Sequence, residues 1–245
     1  MTTENFKMYE GKAKVLYSTG VPNELLMVFK DDITAGDGAK KDTMTNKGRL
    51  NCTISKKIFE YLHEYKVNTH YLSSPETNEQ FVKQVKIIPV EVVIRNISAG
   101  SICRRYNLEK GIIFSQPLLE LFFKNDDLHD PLANEDVISE LKWATRDQLR
   151  QMKEQAHIVH KLMTVFWAEY DLTLVDAKYE FGVTSSSGDI VLADEITCDS
   201  QRIWTKDCKS LDKDVFRQGD NMGDVEDVYN YIHKLIGADS IEGVK

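Results

Sequence analysis

The chain lacks a long apolar run, so nothing in its 245 residues reads as a membrane span, and its amino terminus carries no feature of a signal peptide. Its 4 cysteines, Cys52, Cys103, Cys198 and Cys208, are scattered without the paired spacing of a metal-binding motif. Together these absences point to a reduced, cytoplasmic protein. Internal repeats, low-complexity tracts and long linkers are also missing, so any lobes must be joined tightly. Positive charge is in deficit, with Lys+Arg 31 against Asp+Glu 39 and a net charge of -8. That balance argues against a general affinity for nucleic acid and leaves small anions, held by local clusters of basic residues, as the expected partners.

What is present begins with a hairpin. Leu174, Asp176, Lys178 and Glu180 alternate with Val175, Ala177, Tyr179 and Phe181, which predicts a strand with one charged and one apolar face. A turn follows over Ser185, Ser186, Ser187, Gly188 and Asp189, and Ile190 to Ala193 return as a second strand ending at Asp194 and Glu195. If those turn residues form the loop, Thr184 pairs with Ile190 and Glu180 stands directly opposite Asp194. Like charges about 5 Å apart at Cβ repel, so the arrangement asks for a cation. Two carboxylates with room for phosphate oxygens suit Mg²⁺ better than Zn²⁺. A solvated charged face neutralised by Lys178 is the alternative.

The remaining pattern is strand-rich at first and mixed later. Strands are expected over Lys7–Tyr17, Glu24–Lys30, Val67–Leu72, Phe81–Val85 and Val90–Ile94, with a polar loop from Asp31 to Lys41 and a helix from Lys47 to Tyr65. A handover between lobes falls around Lys83 to Pro89. The spacing of Leu149, Met152, Ala156, Val159, Met163, Phe166 and Tyr170 predicts a core helix over Thr145–Tyr170, opened by a capping box of Thr145 and Gln148. His157 and His160 on it have no carboxylate at metal-binding spacing and read as structural or exposed. A last amphipathic helix carries Val225, Val228, Tyr229, Ile232, Leu235 and Ile236 and should pack on the core or at a subunit interface.

Several segments carry chemistry. Gly11, Lys12, Ala13 and Lys14 lie in a turn between strands, where a glycine admits close backbone approach and alternate lysines point to one side, as a phosphate requires. Gly36, Asp37 and Gly38 form a loop able to approach a ligand. Arg95 ends an apolar strand, and Ser101, Arg104 and Arg105 follow at a helix start, a ready place for an anion. The acidic loop Lys124–Pro131 contains Asp130 and is either solvated or holds a substrate amine or a metal-bound water. Asp199 and Arg202 follow the hairpin closely, where Arg202 is able to clamp an anion bidentately.

Taken together, Tyr9-Glu-Gly-Lys-Ala-Lys, Ala35-Gly-Asp-Gly-Ala-Lys, Val93-Ile-Arg-Asn with Ala99-Gly-Ser, Leu128-His-Asp-Pro, Asp176-Ala-Lys-Tyr-Glu-Phe-Gly and Asp194-Glu-Ile-Thr-Cys-Asp-Ser-Gln-Arg-Ile-Trp resemble the phosphoribosylaminoimidazole-succinocarboxamide synthase (SAICAR synthetase) family in order and spacing. The resemblance implies an α+β, two-lobed fold with a nucleotide-binding core like that of a protein kinase. Residues 1–85 would be a strand-rich ATP-binding lobe, and residues 86–245 a mixed lobe with the metal and ribonucleotide sites. The implied reaction joins carboxyaminoimidazole ribonucleotide (CAIR) to L-aspartate with conversion of ATP to ADP and phosphate, in a homodimer or higher homo-oligomer.

Residue by residue, the resemblance implies that Lys12, Ala13 and Lys14 meet ATP and that Glu180 and Asp194 hold Mg²⁺, with Lys178 beside the reacting groups. Arg95, Ser101, Asp199 and Arg202 would bind the ribonucleotide, and Gly36, Asp37, Gly38 and Asp130 would lie near aspartate. Cys198 stands where the family usually has proline. A small-molecule kinase with the same nucleotide core is the alternative; it would release ADP independently of aspartate.

Overall fold

The computed structural model describes residues 6–35, 40–218 and 222–238. Strands β1 (Lys7–Glu10) and β2 (Lys14–Ser18) form a hairpin that continues into β3 (Glu24–Phe29). In β3 the alternate residues Leu25, Met27 and Phe29 turn inward onto Cys52 and Val82. Where a polar loop was expected, β4 (Asp32–Ala35) and β5 (Lys40–Thr43) instead pair as a two-stranded ribbon. Gly36, Asp37 and Gly38, expected near aspartate, lie outside the described residues.

Helix α1 (Lys47–Glu64) follows the prediction, burying Leu50, Ile54, Ile58 and Leu62 at helical spacing. β6 (Tyr71–Ser73) and β7 (Glu79–Lys83) complete an antiparallel sheet in the order β1-β2-β3-β7-β6. β6 starts later than the expected Val67. His63 at the end of α1 and Thr69 before β6 are joined by a hydrogen bond of 2.6 Å, and the backbone here forms an isolated parallel bridge, Thr69 to Leu192, with Leu192 N donating to Asn68 C=O at 3.1 Å.

The second sheet is built around one long strand. In chain order its surroundings are β8 (Val85–Ile87), β9 (Val90–Ile97), α2 (Ser101–Tyr106), β10 (Ile113–Phe123), α3 (Glu135–Glu140), α4 (Arg146–Ala168), β11 (Thr173–Thr184), β12 (Ile190–Ala193), β13 (Gln201–Trp204), α5 (Asp214–Gln218) and α6 (Met222–Leu235). The first half of β11 lies between β9 and β13, and its second half lies between β8 and β12. β10 is added outside β9.

Helix α4 opens with the predicted capping box, in which Thr145 and Gln148 exchange hydrogen bonds. Its stripe of Leu149, Met152, Ala156, Val159, Met163 and Phe166 is buried in the main apolar core together with residues of α1, β9, β11 and α6. His160 is buried on this stripe and His157 is exposed. α6 packs on the core, with Val225, Tyr229 and Ile232 fully buried. Among the described residues, no helix is long and apolar enough to cross a membrane.

Two expectations for the hairpin need correction. Its turn takes six residues, 184–189: Thr184 C=O accepts from Gly188 N at 3.0 Å, Thr184 N donates to Asp189 C=O at 2.9 Å, and Gly188 has φ 77. Val183 therefore pairs with Ile190, and Glu180 faces Ala193 rather than Asp194. The alternative of a solvated charged face does not hold either, since Asp176 and Glu180 are each 3 % exposed and only Lys178 between them is partly open. Its charges are covered by neighbouring strands and neutralised by ion pairs.

Candidate active site

A cleft of about 550 Å³ opens between the two sheets, lined on one side by Lys12, Ala13, Lys14, Leu25 and Met27 and on the other by Glu91, Lys178, Glu180, Asp194 and Asp199. The β1–β2 turn reaches it because Gly11 N donates to Lys14 C=O at 2.9 Å, closing a tight loop, and Lys30 N holds Ala13 C=O at 2.8 Å. Lys12 reaches Asp126, which also lines the cleft, at 2.7 Å. Lys14 projects inward.

Asp194 is the first residue past β12 and takes φ 66, which swings its side chain off the ladder and into the cleft. Its carboxylate pairs with Lys14, whose ammonium also contacts Glu195. Glu180 pairs with Lys124 and, at 3.0 Å, with Lys178. Lys178 in turn reaches Glu91 at 2.6 Å. Each of Lys14, Lys124 and Lys178 feels both Glu180 and Asp194 electrostatically, so the two acids share one cluster although they are not opposite in register.

Charge states follow from that clustering. Burial works to raise the Asp194 carboxyl, but Lys14, Lys124 and Lys178 outweigh it and hold the group well below the usual carboxylate range. Burial opposes the charge on Lys178, yet Glu180 and Glu91 keep its ammonium protonated to well above the ordinary lysine value. For Lys14 burial dominates and lowers the pKa. Glu91 is pushed up by burial.

The donor set fits a hard cation. Glu180 and Asp194 offer carboxylate oxygens, and three ammonium groups already occupy the place where positive charge is needed. Among the described residues, no group of three or more His, Cys, Asp or Glu side chains converges as a self-sufficient metal cage. An ion held here would draw its other ligands from phosphate and water, and a donor set of two carboxylates without nitrogen or sulfur suits Mg²⁺ better than Zn²⁺.

Beside the cleft lies an arginine cluster set by strand register. Arg95 on β9, Asp176 on β11 and Arg202 on β13 are aligned across three adjacent strands. Asp176 accepts from Arg95 Nη1 at 2.6 Å and from Arg202 Nη1 at 2.8 Å. Glu120 holds Arg95 Nε at 2.6 Å, Asp214 holds Arg202 Nε at 2.7 Å, and Arg95 Nη2 donates to Ser101 Oγ at 3.1 Å. Burial works against the Arg202 charge, but Asp176 and Asp214 raise its pKa still further. Gly100 makes room for this cluster: a Cβ there would stand 2.4 Å from Arg202 Nη2, and its φ is +64.

The structure thus gathers Lys12, Ala13, Lys14, Asp130, Lys178, Glu180, Asp194 and Asp199 around one cleft. Arg95, Ser101 and Arg202 stand next to it rather than in its lining; Asp176, which both arginines hold, lies two residues along β11 from Lys178, or about 6.6 Å. Asp130 is turned toward its own loop, accepting from Asn125 N at 2.8 Å.

Sequence reasoning passed over Glu91, Lys124, Glu195, Lys47 and Lys213. Glu91 had a signal, a lone carboxylate inside the apolar strand Val90–Ile94. Lys47 had none, since a lysine at a helix start reads as exposed, yet its side chain is 0 % exposed and bound to Asp199 at 2.7 Å.

The chain is similar to known proteins over almost its whole length. The family model described as SAICAR synthetase matches residues 7–235. A phosphoribosylaminoimidazole-succinocarboxamide synthase of Staphylococcus aureus is 46% identical over 230 residues, 93% of this chain and 97% of its own. One of Nostoc punctiforme is 43% identical over 233 residues, 93% and 94% of the two chains. Among solved structures, the synthase from Ehrlichia chaffeensis superposes with TM-score 0.91 at 36% identity, covering 95% of this chain and 99% of that one. A SAICAR synthetase in complex with ADP superposes with TM-score 0.88 at 38% identity, covering 96% and 99%. With the model spanning nearly the whole chain and these identities sustained over it, the chain belongs to the SAICAR synthetase family.

Proposed function

We propose that this chain is an ATP-dependent ligase of purine biosynthesis that condenses CAIR with L-aspartate, giving SAICAR, ADP and phosphate. The observation that carries this reading is the meeting of the Lys12–Ala13–Lys14 turn with Lys178, Glu180 and Asp194 in a single cleft, in a chain of this family. Residues 1–85 serve as the nucleotide lobe and residues 86–245 supply the acidic and ribonucleotide-binding groups.

A carboxylate is a poor electrophile, so amide formation first needs a better leaving group. Transfer of the γ-phosphoryl of ATP to the CAIR carboxylate gives an acyl phosphate, and the aspartate amine then displaces phosphate. Such a transfer asks the protein for positioning and charge neutralisation rather than for a nucleophile. Lys12 and Lys14 meet the phosphates, and Lys178 stands beside the reacting oxygens. Glu180 and Asp194 would hold Mg²⁺, which when bound neutralises phosphate charge.

The arginine pair receives the 5′-phosphate, with Ser101 adding a hydroxyl and Asp199 facing the ribose. Asp130, in the cleft lining, is assigned to the aspartate side. Exposed apolar residues along the edge strand β10, Ile113 at 77% and Leu118 at 40%, support self-association, which sedimentation equilibrium measures.

The test is ADP release from the purified chain with Mg²⁺, ATP and CAIR, with and without L-aspartate. Sustained release that requires both CAIR and aspartate is expected. Sustained release indifferent to aspartate would replace this reading with a kinase.

A further inference from the structure

Asp199 is held unusually firmly for a residue at the edge of a cleft. Its side chain is 8% exposed, and it lines the cavity just before β13. One oxygen, Oδ2, accepts from Lys47 Nζ at 2.7 Å and from Asn51 Nδ2 at 3.4 Å, both on α1. The other, Oδ1, accepts from the hydroxyl of Tyr229 on α6, while Lys213 Nζ stands 3.8 Å from Oδ2. Burial works to raise the carboxyl, but Lys213, Lys47 and Tyr229 hold it ionised well below the usual range.

These contacts tie together three distant parts of the chain. Lys47 and Tyr229 are both fully buried, and burying a lysine is costly unless its charge is fixed against a partner. A carboxylate has about four lone-pair sites. Tyr229 takes one of the two on Oδ1, so the orientation it imposes leaves the second for a donor arriving from the cleft. A sugar hydroxyl is the donor that the ribonucleotide offers.

We propose that Tyr229 is a positioning residue for ribonucleotide recognition: from the last helix of the chain it orients Asp199, against the anchor of Lys47, so that Oδ1 accepts from a ribose hydroxyl. This rests on the ligase reading above and gives α6 a part in substrate selection besides its part in the core.

The substitution Tyr229→Phe removes one hydroxyl and keeps the buried ring. The measurements are KM for CAIR, KM for ATP, and binding of CAIR against its 2′- and 3′-deoxyribose analogues by calorimetry. Wild type should bind one of the two analogues about tenfold more weakly than CAIR, the effect of one charge-assisted hydrogen bond. In Tyr229→Phe, KM for CAIR should rise about tenfold, KM for ATP should stay within about twofold, and discrimination between CAIR and that analogue should fall below about twofold. A variant that discriminates as wild type does, or that loses CAIR and ATP affinity alike, overturns the assignment. Wild type inactive with CAIR and aspartate would instead overturn the ligase reading itself, so the two failures are distinct.

Discussion

Lys14 on β2 and Asp194 just past β12 close an ion pair across the cleft, joining the sheet of β2 to the sheet of β12. The lysine expected to meet phosphate thus sits on the carboxylate expected to hold the metal. On the reading proposed above, a triphosphate entering with a divalent ion would exchange these partners, ammonium to phosphate and carboxylate to metal, so that like charges would not be left facing each other. Without nucleotide, the ammonium and a divalent ion would compete for the same oxygen.

Lys14→Met should expose that competition. In the absence of nucleotide, Mn²⁺ binding followed by calorimetry or electron paramagnetic resonance should tighten about tenfold, a modest share of the repulsion between two cations at this range. Turnover should fall at the same time, because the phosphates lose a cation. Unchanged Mn²⁺ affinity would show that Lys14 does not guard the acidic pair.

Asp194→Asn tests the other partner. Asparagine tolerates the left-handed backbone found at this position, φ 66, so the fold should survive with an unchanged circular dichroism spectrum. Turnover should drop by at least about a hundredfold, the scale on which removing one electrostatic stabiliser acts. Near-normal turnover at saturating Mg²⁺ would refute the assignment.

The elements governed by local rules were legible in the sequence. The α4 stripe from Leu149 to Phe166 and its Thr145–Gln148 box are legible because helical period and cap chemistry are both encoded within a few residues, although the helix ends at Ala168, short of the expected Tyr170. The hairpin was found but its register was not: the extra turn residue depends on how Thr184 closes the loop, and alternation alone does not count turn residues. The lysines that neutralise the acids were hardest to see. Lys124 and Glu180 are 56 positions apart, and Lys47 and Asp199 are 152 apart, so only the tertiary fold brings each pair together.

Gly100→Ala should disturb the arginine cluster without removing a charge. The new Cβ meets Arg202 Nη2, and that guanidinium cannot retreat freely because Asp176 and Asp214 hold its other nitrogens. With the positive φ added, a stability loss of about 1–3 kcal/mol in urea unfolding is expected. KM for the ribonucleotide should rise while KM for ATP does not. A variant as stable as wild type with unchanged KM would mean that the cluster relaxes at little cost.

Stability should decline on mild acidification through His160. The ring is 3% exposed, with Nε2 3.1 Å from the Asn96 side-chain oxygen and Nδ1 3.1 Å from the Tyr179 hydroxyl. The neutral tautomer protonated on Nε2 donates to Asn96 and accepts from Tyr179, so both partners are satisfied without a charge. Burial, with a smaller contribution from His157, lowers the pKa from 6.5 to about 4. Between those values the unfolded chain binds a proton that the native ring refuses. The stabilisation is therefore complete above pH 6.5 and is lost as pH falls toward 4. From pH 7.5 to 5 this one group should cost about 2 kcal/mol. Urea unfolding at both pH values should show that His160→Gln, which keeps a polar side chain but cannot titrate, reduces the pH-dependent drop by about that amount. An identical drop in the variant would show that the native imidazole takes up its proton as readily as the unfolded one.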